Sequence, residues 1–467
     1  MGHGGSGMNH WQMDKDHFIH PYTDFSTFAQ EGSQVISEAS GMHVVDSDGR
    51  RYVDAIAGLW CVNVGHGREE IADAVRDQIL RMQYYNPFGH STNEPAAELA
   101  AKLAELAPGA LNHVFYSTGG STANDVAVRL AHFYHYQRGN PAKKVVLSRL
   151  NAYHGSTYFA ANLTGIHATK DGFNQIAGDI VHHVSAANLF AAPEGQSEAG
   201  YCDHLVNEFQ ARIEQIGPGN IAAFIAEPIM GAGGVLVAPP GYHRRMWELC
   251  QANDILYIAD EVVTAFGRLG HWFSSSELFG YQPDILVSAK GISSGYVPLG
   301  ATLISDRVHE AIARPQSEGG ALTMGFTYSG HAVACAAALK NIEIMAREQL
   351  CEHVREVGPY FMDRLRQLNA LPLVGDVRGS HLMAGIELVA ERASRVPLDP
   401  SAQSANRVFE RARSQGVIVR PIGNVIVLSP PLIISERECD LIAEVLAEAI
   451  GQVTHDLARD GYIEGKS

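Results

Sequence analysis

The chain has 467 residues, 46% of them hydrophobic and 18% charged, a balance that can bury a large core and excludes a disordered polymer. With 35 Lys and Arg against 51 Asp and Glu, the net charge is −16. That argues against bulk binding to nucleic acid or anionic membranes, both of which reward a basic face, and no apolar run approaches the roughly 18 residues a membrane helix needs.

In chain order, the Gly-rich start MGHGGSG, ahead of Met8, reads as a linker or expression scar. Its loose match to an N-myristoylation signal through Ser6 is not adopted, and no secretory n-region and h-region follow. Residues 1–70 read as strand and turn (GMHVVDSDGRRYVDAIAG) and are expected to pack with the tail. The body then alternates apolar runs with amphipathic stretches. Strands are predicted at His113–Tyr116, Lys144–Ser148, Ile180–Val184, Ala222–Glu227, Leu256–Asp260, Ile285–Ser288 and Ala301–Ile304, several apolar throughout, as in strands covered on both faces. Helices are predicted at Ser121–Gln137 and His243–Ala252, and a turn-rich loop at Ala192–Gly200. Strand then helix, repeated, implies a mostly parallel sheet with helices on both faces.

From about Cys335 the tail opens with one long amphipathic helix. Strands follow near Met383–Leu388, Val417–Arg420 and Val425–Leu428, then a helix at Glu436–Asp456. The expected division is an N-terminal segment (1–70) that is part of a small domain, a large α/β domain (71–334) and a C-terminal small α+β domain (335–467). The six cysteines are scattered without a CxxC pair and read as reduced thiols of a cytosolic protein.

Four places carry chemistry. The turn GGSTAND, Gly119 to Asp125, follows a strand and opens a helix, so its free N–H groups and the helix dipole suit an anion such as a phosphate. An ordinary capped helix, with Thr122 and Asp125 at capping-box spacing, is the alternative. Asp260 ends the apolar run LYIAD, where open α/β sheets bind ligands. Lys290 follows another apolar run, DILVSA; it is either a rim lysine that snorkels to water or an amine used covalently. Tyr153, in Tyr153-His154-Gly155, offers an aromatic face or is a half-buried rim aromatic. The run Gly231–Gly234 (GAGG) fails the dinucleotide pattern, because Leu236 stands at the sixth position and no helix follows. A carboxylate, a strand-end lysine and an anion cradle on one sheet edge are what pyridoxal phosphate requires.

On these residues the chain resembles class III, pyridoxal-phosphate-dependent aminotransferases of fold type I, nearest the ω-amine and ω-amino acid:pyruvate transaminases. The resemblance runs from about His20 to Ile450. It rests on HPYTDF at His20, AGLWCVNVGHG at Ala57, GGSTAND, YHG at Tyr153, AEPIMGAGG at Ala226 and IADEVVTAFGRLG at Ile258. PDILVSAKGISSGYVPLG at Pro283, GFTYSGH at Gly325, VRGSHLMAGIEL at Val377 and VIVRPIGNVIVLSPPL at Val417 extend it.

The resemblance implies that Lys290 is the Schiff-base lysine and proton shuttle and that Asp260 pairs with the pyridine nitrogen. Tyr153 and Val262 would cover the two ring faces. Gly120 and Ser121 would donate to the phosphate, joined by Thr327 from a partner subunit, and Glu227 would help order the cofactor. Tyr22 and Trp60 would line the substrate pocket beside Tyr153, with Phe88 reaching in from the partner. Arg420 resembles a mobile arginine that pairs a substrate carboxylate and swings away for an apolar amine; its alternative is a surface ion pair. The family's Ser-Gly-Ser-Glu is here Gly119-Gly120-Ser121-Thr122, and Ala332 stands where a proline often follows Gly-His. The implied activity is ping-pong transfer from a primary amine or ω-amino acid to a keto acid such as pyruvate (EC 2.6.1.-). It implies a cytoplasmic homodimer with shared active sites, alone or within a tetramer. A same-fold aminomutase or decarboxylase is the alternative. A metal-dependent protein, suggested by His132/His135 and His182/His183, is disfavoured because no HExxH is present.

Overall fold

The computed structural model describes residues 10–173 and 176–464; the glycine-rich start lies outside them. At its centre is a seven-stranded sheet. From one edge its strands are His113–Ser117, Gly300–Ile304, Ile285–Ser288, Leu256–Asp260, Ile221–Ala226, Val145–Arg149 and Val181–Val184. Only Gly300–Ile304 runs antiparallel to its neighbours. The other pairings are parallel.

The reason is in the side chains. Strand residues alternate between faces. Ile225, Ile258 and Val287 pack on one face with Ala123, Val126 and Leu130 of the helix Gly120–Gln137. Phe224, Tyr257 and Leu286 pack on the other with Phe209 of the helix Glu198–Ile216 and Met246 of the helix Tyr242–Ala252. Both faces are therefore apolar, and Ile221–Ala226, Leu256–Asp260 and Ile285–Ser288 are buried throughout.

Besides the two-stranded pair Ile229–Met230 and Leu236–Val237, two smaller sheets accompany it among the described residues. Ile36–Ser40, His43–Asp46 and Arg51–Asp54 form a meander closed by Val417–Ile418, which pairs in parallel through Val53↔Val417 and Ile418↔Asp54. The N-terminal strands thus pack with the tail. Val374–Ser380, Met383–Glu391, Val425–Leu428 and Arg420–Ile422 form the other, with Val396–Pro397 paired onto Met383–Glu391. A helix from Glu436 to Arg459 closes the chain behind a capping box of Ser435 and Glu438.

Several expectations need correction. The stretch Val417–Arg420 is not one strand: Val417–Ile418 joins the first small sheet and Arg420–Ile422 the second. The long tail helix is two, Ala332–Arg347 and Leu350–Arg366, broken where Gln349 turns left-handed (φ 51). The loop at 192–200 ends early, because Ser197 caps the helix that starts at Glu198. Thr122 and Asp125 form no capping box. The paired glycines let the helix begin at Gly120, so Thr122 lies inside its first turn and donates to the Gly119 carbonyl at 3.0 Å. Asp125 accepts instead from Ala160 N at 3.1 Å.

Candidate active site

Because the strands are parallel, the residues following them gather at one edge. Gly119–Ser121 follow His113–Ser117, Tyr153 and His154 follow Val145–Arg149, and Glu227 follows Ile221–Ala226. Asp260 ends its strand, and Lys290 lies two positions beyond Ser288.

Asp260 is the anchor of this edge and is 4% exposed. Its Oδ2 accepts from Asn124 Nδ2 at 2.7 Å and faces His154 Nδ1 at 2.8 Å. Its Oδ1 accepts from Val262 N at 3.1 Å. Asn124 also donates to the His154 carbonyl at 2.7 Å, and Thr164 Oγ1 receives His154 N at 2.9 Å, so the imidazole is held from several sides. Asn124 Oδ1 and His154 Nε2 are buried without a protein partner. Asn124 lies within GGSTAND and His154 within YHG, and no local spacing in the sequence signals that they meet Asp260.

Glu227 sits beside this cluster. Its carboxylate accepts from Tyr153 N at 3.0 Å and from Gly231 N at 2.9 Å, which fixes the backbone that carries Tyr153. Burial pushes its pKa up. The glycines of GAGG serve close approach: a Cβ on Gly233 would lie 2.4 Å from the Asn151 carbonyl.

Lys290 leaves its strand in the left-handed region (φ 44), a conformation that costs energy in a non-glycine residue and marks functional turns. Among the described residues its amine makes no hydrogen bond or ion pair. Burial lowers its pKa below the ordinary 10.5, while Asp260 acts in the opposite sense. An amine so placed is more readily neutral and nucleophilic than a surface lysine.

The helix Gly120–Gln137 opens where the sequence places an anion cradle. Ala123 N is the first amide to bond within it, so the amides of Gly120, Ser121 and Thr122 precede the intrahelical ladder. A Cβ on Gly120 would meet Val262 at 3.0 Å, and one on Gly155 would lie 2.5 Å from Ser121 Oγ. The cradle thus abuts Val262 and the Tyr153-His154-Gly155 segment. These groups fit pyridoxal phosphate: free amides for its phosphate, a buried carboxylate for its ring nitrogen and an unpartnered amine for its aldehyde. The two orphaned polar atoms lie beside that carboxylate.

The remaining expected residues fall into two groups. Tyr22 reaches across the edge, its hydroxyl 3.3 Å from Tyr153 OH and 3.4 Å from Ser156 Oγ. Burial pushes the Tyr153 phenol up to about 12, so it stays protonated. Arg420 faces these phenols and makes no ion pair among the described residues, so the surface-pair reading fails. Burial lowers its pKa from the ordinary 12.5, a desolvation penalty that a carboxylate beside the guanidinium would offset. Trp60 is 3% exposed, with a left-handed backbone (φ 66), and packs with Val425, Val427 and Ile422 on the strands around Arg420.

Among the described residues, Phe88 and Thr327 make no hydrogen bond to Lys290, Asp260, Tyr153, Tyr22 or Arg420. Phe88 is exposed and packs near Gly325, while the Thr327 carbonyl accepts from Tyr84 OH at 2.9 Å.

Among the described residues no group of three or more His, Cys, Asp or Glu side chains could hold a metal ion. The paired histidines have other uses: His132 and His135 face the carbonyls of Lys144 and Ala222 at 2.8 and 3.0 Å, and His183 faces that of Leu163 at 3.1 Å. No helix is long and apolar enough to cross a membrane among the described residues.

The chain is similar to known proteins along most of its length. The family model described as Aminotransferase class-III matches residues 27–450. The putrescine–pyruvate aminotransferase of Pseudomonas aeruginosa is 38% identical over 95% of this chain and 96% of its own. The diaminobutyrate–2-oxoglutarate transaminase of Halomonas elongata is 37% identical over 97% and 98%. An (S)-enantioselective ω-transaminase structure from Thermomicrobium roseum superposes with a TM-score of 0.92 at 40% identity, covering 95% and 98%. The Pseudomonas jessenii ω-transaminase in complex with PMP gives 0.93 at 38% identity, covering 97% and 99%.

Proposed function

We propose, for a chain that belongs to the class III aminotransferase family and transfers amino groups to a keto acid such as pyruvate with pyridoxal phosphate, that Lys290 and Asp260 carry out the chemistry and that Arg420 selects carboxylates. The fold is that of fold type I enzymes. Donors are primary amines and ω-amino acids. The cofactor, when bound, supplies an aldehyde that takes the amine and a ring that draws electrons from the bond to the donor carbon.

The chain's own residues do the rest. Asp260, kept in place by Asn124, His154 and Val262 N, holds a proton on the ring nitrogen. Lys290 would hold the cofactor's aldehyde and, freed by the donor amine, would carry a proton on Nζ from the donor carbon to the cofactor carbon; its lowered pKa suits that base role. Gly120 and Ser121 hold the phosphate, Tyr153 and Val262 confine the ring, and Glu227 holds Tyr153 in place. Arg420 binds the carboxylate of the keto acid or of an ω-amino acid through its fork. Tyr22 and Trp60 shape the pocket.

The observation that carries this reading is the unpartnered Lys290 amine at the strand edge that Asp260 anchors. A second copy of the chain completes the site. The supporting observation is that Phe88 and Thr327 stand on one exposed surface joined through Tyr84, and neither bonds a residue of the Lys290 cluster among the described residues. The six cysteines, free and mostly buried, suit a reducing cytoplasm.

The test is borohydride reduction of the native holoenzyme with peptide mapping, followed by a donor panel with pyruvate read as alanine formed. The panel holds 4-aminobutyrate, a taurine-like sulfonate, an aryl-alkyl amine and putrescine. The pyridoxyl adduct is expected on Lys290, and Lys290→Ala is expected to lose turnover. An adduct at another residue, or native turnover in that variant, overturns the assignment. An aminomutase would need no acceptor, and a decarboxylase would release CO₂.

A further inference from the structure

The turn that carries Lys290 is held from behind. Lys290 (φ 44) and Ser294 (φ 48) both occupy the left-handed region and bracket the short 3-10 turn Lys290–Ile292. Non-glycine residues persist there only when their surroundings over-determine them. The surrounding group is Asn341, on the helix Ala332–Arg347. It is fully buried, at 0% exposure, inside a helix, where asparagine is a poor former.

Every strong hydrogen bond of its amide goes to this turn. Nδ2 donates to the Gly291 carbonyl at 2.9 Å and to the Ile292 carbonyl at 3.0 Å. Oδ1 accepts from Ser294 Oγ at 2.6 Å. Ser294 Oγ in turn accepts from Val64 N at 3.2 Å, four residues beyond Trp60. Among the described residues no other side chain bonds the Gly291 or Ile292 carbonyl. Room is also tight: a Cβ on Gly291 would lie 2.4 Å from Asn63 Nδ2. A fully satisfied buried network of this kind specifies one geometry.

We propose that Asn341 is a positioning residue for amino transfer: it holds the backbone of Lys290 in the left-handed conformation from which the amine meets the cofactor aldehyde, and through Ser294 it couples that turn to the segment carrying Trp60. This rests on the reading of Lys290 as the residue that joins the cofactor. In the step at issue the Lys290 amine condenses with the aldehyde of pyridoxal phosphate and one water leaves. Borohydride then adds hydride to the carbon–nitrogen double bond and leaves a stable secondary amine.

The experiment follows attachment separately from binding. Purified native chain and Asn341→Leu, stripped of cofactor, are titrated with pyridoxal phosphate. The rate of borohydride-fixable attachment at Lys290 is then measured by peptide mapping. Asn341→Leu keeps its phosphate cradle and Asp260, so its affinity is expected within about threefold of native while attachment and kcat fall by about tenfold or more and KM for pyruvate changes little. A merely structural asparagine would not separate attachment from binding. Ser294→Ala, which removes one hydroxyl, is expected to slow attachment by a smaller factor. Native attachment rates in Asn341→Leu overturn the proposal. If that variant does not fold, Ser294→Ala decides by the same readout, a native rate overturning the proposal. An adduct away from Lys290 in the native enzyme removes the underlying reading instead.

Discussion

The Nδ1 atom of His154 lies 2.8 Å from Oδ2 of Asp260, and both side chains are buried. A carboxylate oxygen only accepts, so the imidazole carries its proton on Nδ1 at this contact. Oδ2 also receives Asn124 at 2.7 Å and is saturated by these two donors, whereas Oδ1 holds only the Val262 amide at 3.1 Å. The remaining acceptor capacity of the pair therefore sits on Oδ1, the oxygen free to meet a ring nitrogen.

Replacing His154 by Phe leaves Oδ2 one hydrogen bond short in a buried setting. The cofactor-free chain is expected to lose about 1–3 kcal/mol of stability, the cost of a buried polar group left short of a partner. Urea unfolding checks this, and a cofactor titration should show weaker binding. An unchanged midpoint together with unchanged affinity would count against the role given to His154.

Lys290 makes stability depend on pH in a stated direction. Burial lowers its pKa from the ordinary 10.5, so between the lowered value and 10.5 the unfolded chain holds a proton that the folded chain has released. Stability from this group therefore rises with pH across that window, and below it the penalty of a buried ammonium is fully present. Lys290→Met removes the titrating group. The cofactor-free variant is expected to be more stable than native at neutral pH, with the gap narrowing toward pH 10.5. Urea midpoints at several pH values check this, and a gap that stays constant or widens would refute it.

Lys290 and Asp260 were legible in the sequence because each is a charged residue against an apolar run, a local signal that a parallel sheet turns into one edge. Residues that act through distant partners were not. His154 meets Asp260 across 106 positions, and Asn341 meets Gly291 across 50, and no spacing rule reports such pairs. The missed boundaries have local causes. Gly119 and Gly120 started a helix without the side-chain cap that Thr122 advertised. Gln349 broke the tail helix by turning left-handed, which its residue type does not signal. Val417–Ile418 and Arg420–Ile422 are too short and too alike in character for periodicity to assign them to different sheets.

Arg420 without an acidic partner predicts a split between substrates. In Arg420→Ala the KM for pyruvate is expected to rise by about 10–100-fold, matching the roughly 1.5–3 kcal/mol of a hydrogen bond to a charged group. The half-reaction with an aryl-alkyl amine, which has no carboxylate, is expected to stay near native. Arg420→Lys should recover only part of the loss, since an ammonium lacks the two-pronged fork. Stopped-flow loss of the cofactor colour with each donor, and steady-state pyruvate kinetics, make the comparison. Equal losses for both substrate types would assign Arg420 to packing.

The exposed aromatic rim carries the last prediction. Phe88 is 52% exposed, with Tyr85 at 58%, Leu322 at 40% and Tyr328 at 56% in nearby segments of the chain. Tyr84 OH binds the Thr327 carbonyl, joining residues 84–88 to 325–328 in one surface. An apolar area of this kind on an acidic protein favours burial against another surface, and a second copy of the chain presents the same rim. Phe88→Asp places a charge that association would have to desolvate, at a cost of several kcal/mol for a carboxylate without a partner. Sedimentation velocity of the native holoenzyme is expected to give a dimer or a multiple of one, and the variant is expected to shift toward monomer. Its turnover per chain should then fall on dilution while the native value holds, because in the proposed reading Phe88 and Thr327 serve the site of the other copy. A fully active native monomer would remove the shared site and leave each chain to complete its pocket alone.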